Sequence, residues 1–335
     1  MSYWYLNNTD GIVVSSRVRL ARNLADMPFP SRMTPDMMNE LTARVKKAVD
    51  EISTELNLGL KFIEMDSIPE NEIIAMVERH IISIEFAQNH KGRAIALSSD
   101  ESISIMIGEE DHIRLQVLGG GLSLDEVYSL ADKIDTALGE KLNFAYDSDL
   151  GYLTECPTNI GTGLRASVML HLPLIEDSNG INSIAEAISK IGFTVRGMYG
   201  EGSKSKAALY QISNQITLGI SEKSAVDNLK VITGQIAERE ENARKSVDRL
   251  RLEDVTYRAL GTASNARLMS SEEFMQLASK IKLGKDMGIL DLKDINPIEL
   301  LILSGPGMLQ SKLGEMTPTE RDEARASTIR KLLSK

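Results

Sequence analysis

Three short apolar segments near the middle of the chain restrict the possible folds most strongly. Residues 94–97 form an apolar run, and every second residue is apolar in 103–107 and 113–117, which is the pattern of half-buried strands. Polar connections of three to five residues separate these segments. Parallel neighbours would need crossovers of a dozen or more residues, so the segments are expected to form an antiparallel meander.

The rest of the chain is mostly helical in its apolar spacing. Helices are expected at 36–56, 71–86, 182–191, 221–250, 253–260, 271–283, 297–303 and 318–333. Another is expected from a Ser123 cap to about residue 138, with Glu126 completing a capping box, and strands are expected at 193–199 and 207–218. The last helix has Thr317 as cap, Pro318 at its first position and Glu320 at the box position.

The length of 335 residues suggests about two domains, and the charge distribution divides the chain in the same way. Residues 1–243 hold 22 Lys and Arg against 35 Asp and Glu, a net of −13, whereas residues 244–335 hold 16 against 13, a net of +3. We therefore expect an α+β domain over 1–243, with an antiparallel sheet flanked by helices. An all-helical domain over 244–335 is small, and dimerisation is one way to stabilise it.

Composition excludes several classes of protein. A single Cys excludes a disulfide framework, no apolar run is long enough to span a bilayer, and no signal peptide is visible, so the expected location is the cytoplasm. The overall net charge of −10 argues against direct nucleic-acid binding. The P-loop pattern and the H-R-D and D-F-G motifs are absent, as is any metal-binding histidine pattern, so no metal ligands are assigned.

Arginines stand out in this acidic domain. In the segment Ser15-Ser16-Arg17-Val18-Arg19, strand alternation would place both guanidinium groups on one face, where a polyphosphate could bridge them. A basic strand edge explains this segment equally well. The turn at 108–114 presents Glu110 and Arg114 together, which suits either a tight turn or an acid–base group beside a phosphate clamp.

Two glycine-rich segments carry further candidates. In 156–167, which begins at Cys156, small residues would let backbone N–H groups approach an anion, and Arg165 would open a helix over 166–170. Cys156 could equally be a buried core thiol. The segment 196–202 offers Arg196 and Glu201 on a loop that is either a mobile lid or an ordinary surface hairpin.

These four segments, in this order, resemble the phosphagen (guanidino) kinase family over residues 12–243. The segment 156–166, C-P-T-N-I-G-T-G-L-R-A, is the most specific part of the match. The resemblance implies a phosphagen-kinase-like fold, ATP and Mg²⁺ as cosubstrate and cofactor, and catalytic contacts to the substrate guanidinium by Glu110 and Glu201, with Cys156 nearby. The implied ATP-binding residues are Ser15, Ser16, Arg17, Val18, Arg19, His80, Arg114, Arg165, Ala166, Ser167, Val168, Met169, Arg196, Gly197, Met198, Tyr199, Gly200 and Glu201.

The tail and the start of the chain narrow the resemblance to the protein-arginine kinases of that family. The tail carries the R-D-x-x-R-A pattern, which in those kinases forms an allosteric phosphoarginine pocket; the matching residues are Arg321, Asp322, Glu323, Ala324, Arg325 and Ala326. Arg321 and Arg325 would share one helix face, although a salt-bridged surface helix produces the same pattern. The S-x-R-x-R segment begins at residue 15, without the N-terminal helical domain of metabolic members, so a protein side chain could enter the site.

Arginine side chains of proteins are therefore the expected phosphoryl acceptor. Glu110 is assigned as the base, because the guanidinium must lose a proton. Glu201, on a loop, is assigned to bind the guanidinium and hold it in position. The resemblance also implies protein partners: the activator McsA, a CtsR-like repressor and misfolded proteins as substrates, the Clp protease machinery, and a second copy of the chain. A free-arginine kinase and a non-catalytic phosphoarginine-reading adaptor are the alternatives.

Overall fold

The computed structural model describes residues 3–7, 9–197, 205, 207–293 and 295–334. The strands are β1 (Val13–Arg22), β2 (Lys61–Glu64), β3 (Ala94–Leu97), β4 (Ile103–Ile107), β5 (Ile113–Gly120), β6 (Tyr146–Asp147), β7 (Gly151–Tyr152), β8 (Leu164–His171), β9 (Phe193–Gly197) and β10 (Leu209–Asn214). The helices are α1 (Pro35–Glu55), α2 (Glu70–Glu78), α3 (Ile84–Gln88), α4 (Leu124–Lys141), α5 (Pro173–Asp177), α6 (Ile181–Ser189), α7 (Glu222–Ser246), α8 (Arg249–Asn265), α9 (Ser271–Asp286), α10 (Pro297–Leu303), α11 (Pro306–Leu313) and α12 (Pro318–Leu333).

Eight of these strands form one antiparallel sheet in the order β2-β3-β4-β5-β1-β8-β10-β9. The meander β3-β4-β5 lies where the alternating apolar residues predict it, and the predicted α+β class is confirmed. Strand β1 lies between β5 and β8, so the chain start is at the centre of the sheet. β6 and β7 form a separate hairpin.

One face of the sheet is covered by helices and forms the main core. α4 packs over β1 and β5, and α7 packs over β8 and β10. The inward residues Val18, Leu20, Leu115, Val168 and Ile212 are completely buried there. The opposite face is therefore the one on which polar strand residues are presented.

The structure corrects two local predictions. Residues 166–170 belong to strand β8 and do not form a helix, because hydrogen bonding to β1 on one side and β10 on the other outweighs the helix propensity of Ala166 and Met169. The predicted helix over 71–86 is two helices, α2 and α3, separated by His80, whose φ of +61° is incompatible with a continuous helix.

Helix capping agrees with the sequence at one end of the chain and differs at α4. Thr317 and Glu320 form the complete capping box of α12. Ser123 precedes α4 but its side chain makes no cap hydrogen bond; its backbone N–H instead donates to Ser16 Oγ at 3.0 Å. The start of α4 is thus fixed to β1 by a contact that local sequence spacing does not reveal.

The helical C-terminal region has its own core but packs tightly against the sheet region. α7 runs through position 243 and ends at Ser246. Lys282 of α9 is 2% exposed and donates to the carbonyl of Thr9 at 3.0 Å, and His171 at the end of β8 hydrogen-bonds Ser279 through Nε2 at 2.8 Å.

Among the described residues, every helix is too short or too polar to cross a bilayer.

Candidate active site

Strand register gathers the candidate arginines on the uncovered face of the sheet. Arg19 of β1 pairs with Arg165 of β8, and Arg114 of β5 pairs with Ala21, two residues further along the same face of β1. Arg196 of β9 pairs with Gln211 of β10, whose neighbour on β8 is Met169. Since alternate residues share a face, the arginines at 17, 19, 114, 165 and 196 all lie on the side opposite the helices.

These arginines bring positive charges close together at a partly buried site. The pKa of Arg17 is lowered to about 10, chiefly by burial and in addition by repulsion from Arg165 and Arg114. The pKa of Arg19 falls well below its ordinary value for the same reasons, burial first. The Nε of Arg19 is buried with no hydrogen-bond partner among the described residues. Such a cluster suits a multiply charged anion, which would relieve the repulsion and could accept a hydrogen bond from Arg19 Nε.

The acidic turn supplies two carboxylates with different surroundings. Glu109 is buried, accepts a hydrogen bond from Ser83 Oγ at 2.6 Å and pairs with Arg114. Glu110 is more open; its Oε2 lies 3.6 Å from Nη2 of Arg114 and accepts from Asn159 Nδ2 at 3.2 Å. Partial burial raises the pKa of Glu110, and Arg114 opposes that rise. Glu110 is thus placed to accept a proton at the edge of the arginine cluster.

The glycine-rich segment before β8 shapes the site by close backbone packing. A Cβ on Gly161 would lie 2.2 Å from the carbonyl oxygen of Thr217, and one on Gly163 would lie 2.7 Å from that of Ala21, and both residues have positive φ. Arg165 lies on a strand, so the expected helix dipole does not contribute to anion binding. Cys156 is partly exposed at the cavity wall, with Sγ 3.0 Å from Thr158 Oγ1, and is therefore not a core thiol.

Two neighbouring cavities open on this face. The larger, about 440 Å³, is lined by Arg19, Arg114, Arg165 and Arg196 and by Glu109, Glu110 and Cys156. The smaller, about 120 Å³, is lined by Trp4, Ser15, Arg17, His80, Leu118, Ser167, Met169 and Gln211. Burial, with a smaller contribution from the charge of Arg17, lowers the pKa of His80 to about 4, so this imidazole is neutral at pH 7. Arg17 lies between the two cavities. It donates hydrogen bonds to Ser167 and Gln211 beside the smaller cavity, and its charge lowers the pKa of Arg19, which lines the larger one.

Not every residue in the predicted ATP set faces these cavities. Val18, Ala166 and Val168 are completely buried in the core on the opposite face, and Ser16 donates to the carbonyl of Gly121. Their side chains cannot contact a ligand on the arginine face, since strand alternation turns them away. Gly197 ends β9, whereas Met198, Tyr199, Gly200 and Glu201 lie outside the described residues.

Several lining residues carried no recognisable sequence signal. Arg93 reaches the larger cavity from the turn before β3, stacks on Phe86, and has its pKa lowered by burial. Asn159 lies within the glycine-rich segment, but only the fold brings it to Glu110. Trp4 reaches the smaller cavity from a short 3-10 helix far away in sequence.

Part of the tail motif at 321–326 is used in internal contacts of the protein. Arg325 is 2% exposed and donates to the carbonyls of Ser304 at 2.9 Å and Met269 at 2.8 Å and to Asp322 at 2.6 Å. The Arg325 guanidinium is thus bound by groups of the fold itself, and Ala326 is completely buried. Arg321, Asp322 and Ala324 are half-buried and Glu323 is exposed, so this part of the motif remains accessible.

Comparison with known proteins identifies the family to which this fold belongs. The structure of lombricine kinase aligns with a TM-score of 0.62 at 22% identity, covering 71% of this chain and 68% of that one, which shows the shared fold. A duplicated taurocyamine kinase from Schistosoma mansoni aligns with a TM-score of 0.63 at 25% identity, covering 82% and 40%. Residues 40–243 match the ATP:guanido phosphotransferase C-terminal catalytic domain. Fold and sequence together define a guanidino phosphotransferase.

Relatives of similar length give the narrower assignment. Residues 249–335 match the protein-arginine kinase McsB C-terminal domain. The protein-arginine kinase of Halothermothrix orenii is 48% identical over 96% of this chain and 93% of its own length, and that of Clostridium kluyveri is 43% identical over 100% and 99%. The chain belongs to the protein-arginine kinase family, as the sequence motifs predict.

Proposed function

We propose that this chain transfers the γ-phosphoryl group of ATP to arginine side chains of proteins. The names of its full-length relatives support this activity. The observation that carries the proposal is the juxtaposition of Glu110 with the arginine cluster on one sheet face. A phosphoryl acceptor at Glu110 would meet the donor phosphates held by the arginines, and phosphoryl transfer depends mainly on such positioning and charge neutralisation.

The residues divide the chemistry as follows. Arg19, Arg114 and Arg165 neutralise phosphate charge, and Glu110 takes a proton from the substrate guanidinium. The guanidinium nitrogen then forms a bond to the γ-phosphorus while the bond to the bridging oxygen breaks, which releases ADP. Mg²⁺ bound to the ATP phosphates would neutralise part of their charge, beside the arginines.

Mass spectrometry under conditions that preserve acid-labile phosphoarginine tests the activity. The chain is incubated with ATP, Mg²⁺ and either an arginine-rich protein or free arginine. We expect phosphoarginine on the protein, and we expect the Glu110→Gln variant to lose at least about a hundredfold in rate. Phosphorylation of free arginine alone would support a metabolic kinase, and activity near wild type in Glu110→Gln would overturn the assigned base.

We further propose that the helical C-terminal region regulates this activity by binding phosphoarginine at Arg321 and Asp322. The accessibility of these residues supports the proposal, with Arg325 holding the pocket wall. The same assay with added phosphoarginine tests it, and an unchanged rate would contradict it. A cytoplasmic stress role with CtsR-like substrates, the activator McsA and Clp proteases, and a dimeric state, belong to this proposal through the family resemblance.

A further inference from the structure

A buried carboxylate joins the helical C-terminal region to the catalytic region. Glu78, the last residue of α2, is 9% exposed, and its two oxygens accept hydrogen bonds from the backbone N–H groups of Gly307 and Met308, both at 2.8 Å. These N–H groups belong to the first turn of α11, where they have no partner within the helix. A carboxylate at that position satisfies both donors and also interacts favourably with the helix dipole.

The close approach of the two helices requires glycine on the α11 side. A Cβ on Gly305 would lie 2.3 Å from Glu78 Oε2, and one on Gly307 would lie 2.8 Å from the backbone nitrogen of Ala75. Both glycines have negative φ, so close packing, and not backbone conformation, demands them. Glu78 therefore sets the distance between α2 and α11.

The residues that follow Glu78 lead directly to the smaller cavity. Arg79 is held by ion pairs to Glu72 at 2.7 Å and Glu101 at 3.0 Å, and its carbonyl accepts the indole N–H of Trp4 at 3.1 Å. His80 comes next, with a φ of +61°, and lines the cavity beside Arg17. The position of His80 is thus fixed by the end of α2.

On its other side, the same junction touches the tail motif. Arg325 donates through Nε to the carbonyl of Ser304, the residue immediately before Gly305. The Arg325 charge also reaches Glu78, whose pKa it lowers against the larger effect of burial, which raises it. A continuous set of contacts therefore runs from α12 through the start of α11 and Glu78 to His80.

We propose that Glu78 is a positioning residue for the nucleotide: it fixes α2 against α11 and thereby holds His80 and Trp4 at the wall of the nucleotide site. The helical C-terminal region is then a structural part of that site, and movement at Arg325 changes nucleotide affinity. This inference rests on the proposed use of ATP, and it adds a regulated nucleotide affinity to that function.

Glu78→Gln tests the inference, with Glu240→Gln as a matched control. Glu240 is also buried and also accepts two backbone N–H groups at the start of a short helix, those of Leu174 at 3.2 Å and Ile175 at 3.0 Å. It differs from Glu78 in that no residue near it in the chain lines either cavity, whereas Glu78 is followed by His80. Both variants are expected to lower the Tm through loss of a cap. Only Glu78→Gln is expected to raise the KM for ATP, by about tenfold, with kcat changed by less than about twofold.

Gly305→Ala acts on the same contact from α11 and covers the case in which Glu78→Gln does not fold. Its methyl group must displace the Glu78 carboxylate, so we expect a similar rise in KM and less than additive effects in the double variant. Calorimetry with ATP and Mg²⁺ provides an activity-independent reading of affinity. Wild-type affinity in folded Glu78→Gln or Gly305→Ala would overturn the inference, whereas wild-type protein that fails to bind ATP would overturn the proposed function instead.

Discussion

Individual residues in the site are placed at some cost to the fold. Arg17, Arg19 and Arg165 lie together and repel one another, and burial disfavours the charges of Arg17 and Arg19. The S-x-R-x-R spacing predicts that Arg17 and Arg19 share a face, and the structure confirms it. The spacing cannot predict that Arg165 joins them, because that depends on pairing between β1 and β8, which lie more than a hundred residues apart. Arg196 is added through the further pairings of β8 with β10 and of β10 with β9.

Removing the amide that faces Glu110 should shift the pH dependence of the reaction. Catalysis by Glu110 requires the carboxylate, and its raised pKa places the loss of activity on acidification above the ordinary glutamate range. The hydrogen bond from Asn159 lowers that pKa. Asn159→Leu should therefore raise the pKa further and move the acidic limb of the kcat/KM profile to higher pH, measured from about pH 4.5 to 8.

Thr158→Val is the control for this prediction. Thr158 lines the same cavity next to Asn159, but its hydroxyl lies at Cys156 and not at Glu110. The acidic limb should stay at its wild-type position in this variant. A limb that moves equally in both variants would show that the cavity wall in general, and not the Asn159 hydrogen bond, controls the profile.

At the scale of helices and strands, apolar periodicity predicts several elements, and the clearest failure is at β8. α10 and α12 begin and end at the predicted residues, and the meander is confirmed. β8 is a central strand whose sequence does alternate: the apolar residues Leu164, Ala166, Val168 and Leu170 are completely buried, and Arg165 and Ser167 point to the other face. The helix expected over 166–170 therefore goes against the local pattern. The strand state of β8 comes from pairing with β1 and β10, which no local pattern records.

A buried ion pair connects these elements and should be costly to break. Arg22 at the end of β1 is 1% exposed and donates to Asp135 of α4 at 2.7 and 3.1 Å, while its guanidinium stacks 3.5 Å from the Tyr152 ring. Arg22→Met leaves Asp135 buried without its partner, so we expect the free energy of unfolding to fall by about 3–5 kcal/mol in urea titrations.

Two comparisons make that prediction specific. Arg22→Met also leaves Glu222, 3.3 Å from Arg22, without this partner, so adding Asp135→Leu removes the more deeply buried of two orphaned carboxylates and should recover part of the loss. Arg44→Met breaks a similar pair with Asp26 that is solvent-exposed, and it should cost less than about 1 kcal/mol. Equal costs for Arg22→Met and Arg44→Met would mean that burial does not govern the contribution of these pairs.

At the scale of the whole molecule, the two regions inferred from length and charge are joined by buried polar contacts. Lys282 reaches Thr9, Asp286 accepts from the backbone of Gly11 and pairs with Arg244, and Glu78 caps α11. The charge asymmetry at residue 243 indicates two regions but does not predict the contacts between them. A sequence does not show which charged residues are buried at such an interface and which are exposed to solvent. The regions should therefore unfold together.

The single tryptophan makes cooperative unfolding measurable. Trp4 is 5% exposed at the junction, where its neighbour Tyr5 accepts a hydrogen bond from Asn296 of the helical region through its carbonyl at 2.9 Å. Its fluorescence reports on this junction, whereas far-UV circular dichroism reports on all helices and strands. We expect the two urea transitions to coincide, because opening the junction would leave Glu78 and Lys282 without their partners. An earlier fluorescence transition would show that the helical region detaches before the sheet unfolds, and the C-terminal region could then not hold the nucleotide site in place.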